Sequence, residues 1–310
     1  MPIINSKIRY AFGCLIFVVF LVASLVSCIN SNNSAENVYR YDSYLKTTPE
    51  IRVLLHDNIE EIQIEINKPY SISNFNNHEK LADKTGLKKS ILYLKSGDFR
   101  TRSLSSDTAH NAPTTFVKAN GNISIFANNG YVKLNNSTYS GKVILIPKDD
   151  DKFSILEEIG IEEFLPGVVE GEMPIMWNND ALQAQVIAVR TYVLYKRKIK
   201  GNALYHINKL DLAYKGSYMN QSKSKEIVDK TRGTVMVYDW NLFPGYFHST
   251  CGGHTEDINL VFNLRSIPPL SGVECGYCNN SKYYIWKKKL GRNVIQRSLN
   301  AAKAKVKKYV

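Results

Sequence analysis

Acidic residues are the scarce charge in this 310-residue chain: 28 Asp and Glu stand against 40 Lys and Arg, for a formal net charge of +12. That imbalance disfavours a basic partner and favours an acidic one: nucleic acid, an anionic membrane surface or an acidic polymer. Cysteine is scarcer still, at five residues, too few for a disulfide-stapled fold of this length. No internal repeat is visible, which argues against a solenoid. Apolar residues are in ordinary supply, with 44% hydrophobic and 22% charged, so most of the chain should be globular, with one or two real cores.

The N-terminus narrows the choice of partner. Lys7 and Arg9 precede an apolar run from about Tyr10 to Val26 that ends on small residues, the layout of a secretory signal over residues 1–28. Its ending, Leu25-Val26-Ser27-Cys28, resembles the bacterial lipobox, in which the cysteine is lipidated and becomes the mature N-terminus. A plain signal anchor is the alternative. Both place the rest of the chain outside the cytoplasm, away from nucleic acid. Ile29 stands where an inner-membrane retention signal would have aspartate. In a cell with an outer membrane, that membrane is therefore the expected anchor. Residues 29–49 begin INSNNSAEN, polar and low in complexity, and read as a flexible tether.

From Ile51 the chain alternates in period two, as in IRVLLHDNIEEIQIEI, with an Asn-Gly turn signal at Asn129-Gly130. Residues 50–157 are expected to be mostly β. The spacing of Leu182, Val186, Val189 and Val193 predicts a helix over 179–198, capped by Asn179 or Asp180 and closed by Lys196, Arg197 and Lys198. A second helix is predicted over 221–231, and GTVMVYDWNLFPGYFHSTCGG reads as two strands ending in a glycine turn. The expected class is α+β, antiparallel strands packed with a central helix that follows Glu-Met-Pro.

Several stretches occur together in one order: IEEFLPGVVEGEMP, ALQAQVIAVRTYVL, TRGTVMVYD and YFHSTCGGHTE. They resemble the motifs of the stage II sporulation protein D and amidase-enhancer family of bacterial cell-wall proteins. The resemblance runs from about Ile51 to Trp286. It implies one domain over 50–310, with a β-rich part at 50–157 and a catalytic-type core at 158–286. The sporulation members are similar to lytic transglycosylases, which cut the sugar backbone of peptidoglycan. The resemblance implies that Glu172, the glutamate of Glu-Met-Pro, is the catalytic acid. The enhancer members imply a second possibility, a non-catalytic glycan binder that stimulates a cell-wall amidase. Family members usually continue to a Gly-His-Gly-x-Gly motif and a final Gln-x-Gly-Ala helix, neither motif of which appears before Val310, so the domain is expected to be truncated at its C-terminus or divergent.

The chemistry suits a single carboxylate. An ordinary glycosidase needs two, one as acid and one as nucleophile or base. A transglycosylase can use the sugar's own 6-hydroxyl as nucleophile, so one group donates a proton to the glycosidic oxygen and takes one from that hydroxyl. Such a group works best with a pKa near neutrality, which burial beside apolar side chains provides. Met173, Pro174 and Trp177 are candidates for that wall, and Trp177 and Arg190 for substrate binding. The alternative is that Glu172 caps the helix or pairs with Arg190. Arg190 and Thr191 either orient Glu172 or only pack. Glu170 reads as a solvated neighbour and Tyr192 as core.

Beyond Cys14 and Cys28, three cysteines remain: Cys251 in Cys-Gly-Gly-His254, and Cys275 and Cys278 in Cys-Gly-Tyr-Cys. Three thiolates and one imidazole satisfy a structural zinc, with a glycine in each short loop to let the backbone wrap. His248 is the alternative fourth ligand, and a disulfide within the trio the alternative to zinc. Some sporulation members are similar in holding a zinc, but through a segment ahead of their Gln-x-Tyr motif. Here that segment, HINKLDLAYKG, has no cysteine and shows Leu212 in place of the glutamine, so that site does not carry over and any zinc here is a different one.

Overall fold

The structure is a computed structural model and describes residues 38–40, 48–104, 113–118, 121–217 and 222–301. The expected signal segment, Cys28 and most of the tether lie outside the described residues. The chain divides into two compact units, one reaching Tyr246 and one from Phe247 onward. No described helix is long and apolar enough to cross a membrane.

The first unit is built of strands β1 (Val38–Arg40), β2 (Glu50–Ile59), β3 (Glu61–Ile66), β4 (Tyr70–Asn74), β5 (Lys80–Lys84), β6 (Leu87–Lys95), β7 (Asp98–Ser103), β8 (Thr114–Lys118), β9 (Ile123–Ala127), β10 (Val132–Leu134), β11 (Ser137–Tyr139), β12 (Lys142–Pro147) and β13 (Phe153–Gly160). Helices α1 (Ile161–Glu172) and α2 (Asn179–Lys200), strand β14 (Ile207–Asn208), helix α3 (Ser222–Lys230) and strands β15 (Thr234–Tyr238) and β16 (Asn241–Leu242) follow. One sheet has the order β11-β10-β3-β6-β7-β8, a second β14-β2-β13-β12-β9-β4-β5, and a third β1-β15-β16. Pairing is antiparallel except where β14 runs parallel to β2. The class is α+β, and the expected β content of 50–157 is there as β2 to β13.

β13 is the strand that delivers the chain to the site. It lies between β2 and β12, so residues Phe153 to Glu157 are all buried. Leu156 packs with Leu54, Ile144 and Ile146 on one face. β13 passes directly into α1, a helix the sequence reading did not place. Its apolar residues do fall at helical spacing: Ile161, Phe164, Leu165, Val168 and Val169 are buried. Pro166 and two glycines interrupt the local propensity. Proline lacks the N–H that would bond the turn before it, so tertiary packing, not propensity, holds this helix.

α2 buries the predicted stripe, Leu182, Val186, Val189 and Val193, and Tyr192 joins the core as expected. Its cap is neither Asn179 nor Asp180. Asn178 caps it, its side chain accepting from the Asp180 N–H at 2.7 Å. Position 178 wins because the cap residue must sit outside the helix with extended backbone while its oxygen reaches the amide two residues on.

β14 anchors the loop that follows α2. His206, 3% exposed, accepts the Arg52 amide on Nδ1 at 3.0 Å. Burial, then the Arg52 charge, pulls its pKa down to about 4. His56 is likewise lowered to about 4, by burial and then by Lys209. Both rings are neutral when folded and take up a proton when unfolded, at the ordinary histidine pKa of about 6.5. The unfolded chain therefore binds more protons between those values, and stability is complete above about pH 6.5 and falls as pH drops toward about 4. Thermal melts across that window should show a lower midpoint at the acid end. A flat profile would mean that these rings are not held neutral.

Candidate functional site

The site forms where the C-terminal end of α1 meets the loop after β14. Two glycines on α1, Gly167 and Gly171, sit four residues apart and so share a face. A Cβ on Gly171 would collide with the Ala213 carbonyl oxygen, and one on Gly167 with that of Gly216. Only glycine lets this backbone lie so close to a helix. The Lys215 amide bonds the Gly167 carbonyl at 3.3 Å, and its Nζ bonds the Glu170 carbonyl at 2.7 Å.

This contact places Glu172. The residue ends α1 and is half-buried, and Oε1 accepts the Ala213 N–H at 2.7 Å. Among the described residues its second oxygen has no hydrogen-bond partner. Glu172 therefore neither caps α2, which Asn178 does, nor pairs with Arg190. One oxygen is fixed by a backbone donor and the other has no hydrogen-bond partner among the described residues.

Arg190, expected at the substrate, is 1% exposed and fully engaged. Its Nε and Nη2 bind both oxygens of Glu162, at 2.9 and 2.8 Å, and Nη1 donates to the Thr234 carbonyl at 3.1 Å. Nη2 also reaches the Val228 carbonyl at 3.4 Å. A guanidinium this enclosed ties α1, α2 and the end of α3 together and meets no ligand. Thr191 packs, donating to the Ile187 carbonyl and accepting the Met236 amide. Glu170 is not merely solvated: it accepts Ser224 Oγ of α3 at 2.6 Å.

The expected apolar wall is open. Met173 is half-buried, Pro174 exposed, and Trp177 54% exposed after a turn closed by its N–H on the Pro174 carbonyl. Two further groups stand here that the sequence pattern does not single out by role. The Ala213 N–H carries no side-chain signal. Glu157 does carry one: it stands between Ile155 and Ile159 on an inward-facing register of β13, an acid on an apolar face.

In the second unit, the three cysteines converge. The sulfurs of Cys251, Cys275 and Cys278 lie within 4.8 Å of one another, all as free thiols. Gly252 and Gly253 have left-handed φ of 69° and 109°, which the first loop requires, while Gly276 has open space and no such φ. Neither His254 nor His248 belongs to the group. The His254 backbone bridges Glu274 while its side chain is exposed. A backbone N–H from Gly253, then the Cys275 thiol, lowers the Cys251 pKa. For Cys275 the Tyr277 amide lowers it, but the Cys251 bond, burial and neighbouring sulfur charge together raise it further.

Part of the chain is similar to known proteins. Residues 149–238 match the family described as Stage II sporulation protein, a span that contains β13, α1, Glu172 and the 213–217 loop. The chain is 32% identical over 175 residues to an uncharacterized protein of Brachyspira hyodysenteriae (strain ATCC 49526 / WA1), covering 54% of this chain and 45% of that one. It is 34% identical over 106 residues to the amidase enhancer of Bacillus subtilis (strain 168), 34% of this chain and 14% of that one. It is 27% identical over 147 residues to the stage II sporulation protein D of Bacillus amyloliquefaciens, 42% of each. The chain thus spans less than half the length of these relatives. Over residues 149–238 it is similar to the stage II sporulation protein D and amidase-enhancer family.

Proposed function

We propose that the protein is a peptidoglycan lytic transglycosylase with Glu172 as its general acid and base. One observation carries this: a carboxylate oriented through one oxygen by the Ala213 N–H, with its other oxygen unpartnered among the described residues. Glu172 gives its proton to the bridging oxygen as the C1–O bond breaks. It then takes the proton of the muramic 6-hydroxyl as that oxygen bonds C1, leaving a 1,6-anhydro end and consuming no water. Trp177, exposed close by in sequence, offers an aromatic face for a sugar ring. The alternative is a non-catalytic glycan binder that stimulates an amidase, as one relative's name suggests. Incubation of purified peptidoglycan with the protein alone separates them: release of glycan fragments supports the enzyme, and release only when an amidase is added supports the enhancer.

We further propose that the cysteine trio holds a structural zinc. Tetrahedral Zn–S bonds of about 2.3 Å place sulfurs roughly 3.8 Å apart, within the spacing seen. Cys251, Cys275 and Cys278 would hold it, and it would supply folding energy to the second unit, not chemistry at Glu172. Chelator is expected to lower the melting midpoint of the chain, with about one zinc per chain by metal analysis. Destabilisation by reductant and not by chelator would point to a disulfide instead. Export and lipidation at Cys28 complete the proposal. Cys28→Ala is expected to abolish lipid labelling, and undiminished labelling would refute the anchor.

A further inference from the structure

A second glutamate stands behind the first. Glu157 on β13 is 0% exposed and meets three donors. Oε1 accepts Ser217 Oγ at 2.7 Å and the Gly141 amide at 3.1 Å, and Oε2 accepts Tyr214 Oη at 2.6 Å. The site is shaped for it: a Cβ on Gly141 would lie 2.8 Å from Glu157 Cγ. Two of the three donors belong to the 213–217 loop whose Ala213 N–H orients Glu172.

The grip on that loop is tight. The Tyr214 hydroxyl is held by Glu157, and its ring packs on Phe164 of α1 with centroids 4.5 Å apart. Ser217 Oγ also accepts the Ser140 amide at 2.7 Å and Ser140 Oγ at 3.0 Å, and the Ser217 amide bonds the Thr138 carbonyl at 3.0 Å. Residues 214 and 217 are thus pinned to β13 and to the β11–β12 turn. Ala213, next to the first of these pins, has little freedom to move its N–H.

A fully enclosed carboxyl is a costly way to fill this space. Burial penalises its charged form and pushes its pKa up, against the three donors, which lower it. An apolar residue of similar volume is often as stable or more so. What an apolar residue cannot do is fix the Tyr214 hydroxyl and the Ser217 hydroxyl at once.

We propose that Glu157 is a positioning residue for Glu172, acting through Tyr214 and Ser217 to hold the Ala213 N–H on the Glu172 carboxylate. The inference rests on the reading of Glu172 as the proton donor, and its test has one arm that does not. The first arm is hydrogen exchange at the Ala213 amide in wild type, Glu157→Leu, Glu157→Gln and Tyr214→Phe, followed by NMR. Exchange should speed about tenfold or more in Glu157→Leu and in Tyr214→Phe, while Glu157→Gln, which keeps an acceptor oxygen, should recover part of the protection. The second arm is steady-state cleavage: kcat should fall about tenfold or more in Glu157→Leu with KM little changed, since Glu157 is fully enclosed and cannot itself touch glycan. Tyr214→Phe, which removes one hydroxyl, carries the test if Glu157→Leu does not fold. Wild-type exchange at Ala213 in Tyr214→Phe, or wild-type kcat in a folded Glu157→Leu, would overturn the proposal. No cleavage by wild type together with faster exchange in the variants would instead sink the enzyme reading and leave the positioning role standing.

Discussion

Glu172→Gln is expected to fold as the wild type does and to lose cleavage by about two to four orders of magnitude, the usual contribution of one general acid. The structure makes this substitution unusually clean. The glutamine carbonyl can keep the Ala213 N–H that now sits on Oε1 at 2.7 Å. The amide nitrogen then replaces the other oxygen, which is the one left to carry the proton. Glycan binding and melting midpoint should therefore be unchanged while turnover disappears. Glu170→Gln is the matched control. It keeps an acceptor for Ser224 Oγ and should retain most of the activity. Near-normal cleavage by Glu172→Gln would remove this residue from the mechanism.

Arg190 is expected to give the largest stability effect. Arg190→Met leaves the Glu162 carboxylate buried beside α2 without its bidentate partner. Breaking a buried pair in this way typically costs about 3–5 kcal/mol. In a unit of this size that lowers the melting midpoint on the order of 10 °C. Removing both partners, as Glu162→Leu with Arg190→Met, should be markedly milder than the single change, because no stranded charge remains. Denaturant titration of the three variants decides it. Equal loss in the single and double variants would mean the pair itself, and not the orphaned carboxylate, sets the cost. Below its own midpoint, Arg190→Met should still cleave glycan, as befits a residue that braces helices and does not touch substrate.

These two residues show what the sequence made legible. Both stand in motifs whose order pointed to the family, and the period-two and helical stripes gave the β-rich character of 50–157 and α2, though not β6, whose stretch is too short to type from its pattern. Glu172 was singled out by its place in the Glu-Met-Pro motif, and the structure sets it at the end of α1 on the Ala213 N–H. Arg190 was misread because a motif arginine looks alike whether it faces a ligand or a buried glutamate, and its partner lies 28 residues away. α1 was missed for a local reason: Pro166 and the glycines argue against a helix unless the close approach of the 213–217 backbone is already known. The Ala213 N–H could not be read at all, since every residue but proline carries one. For the cysteines the spacing pointed to three sulfurs that do lie together, but Cys-Gly-Gly-His also suggested His254. Its backbone bridges Glu274 while its ring is exposed, a choice of backbone geometry that spacing alone does not encode.

The central claim is that this domain cuts glycan by an internal transfer run by one glutamate. Mass spectrometry of glycan strands incubated with the wild-type protein, beside the Glu172→Gln variant, tests it most directly. The account predicts new muramic ends lighter by one water than hydrolysed ends, formed by the wild type and absent with Glu172→Gln. Hydrolysed ends, or anhydro ends formed equally by both proteins, would contradict it.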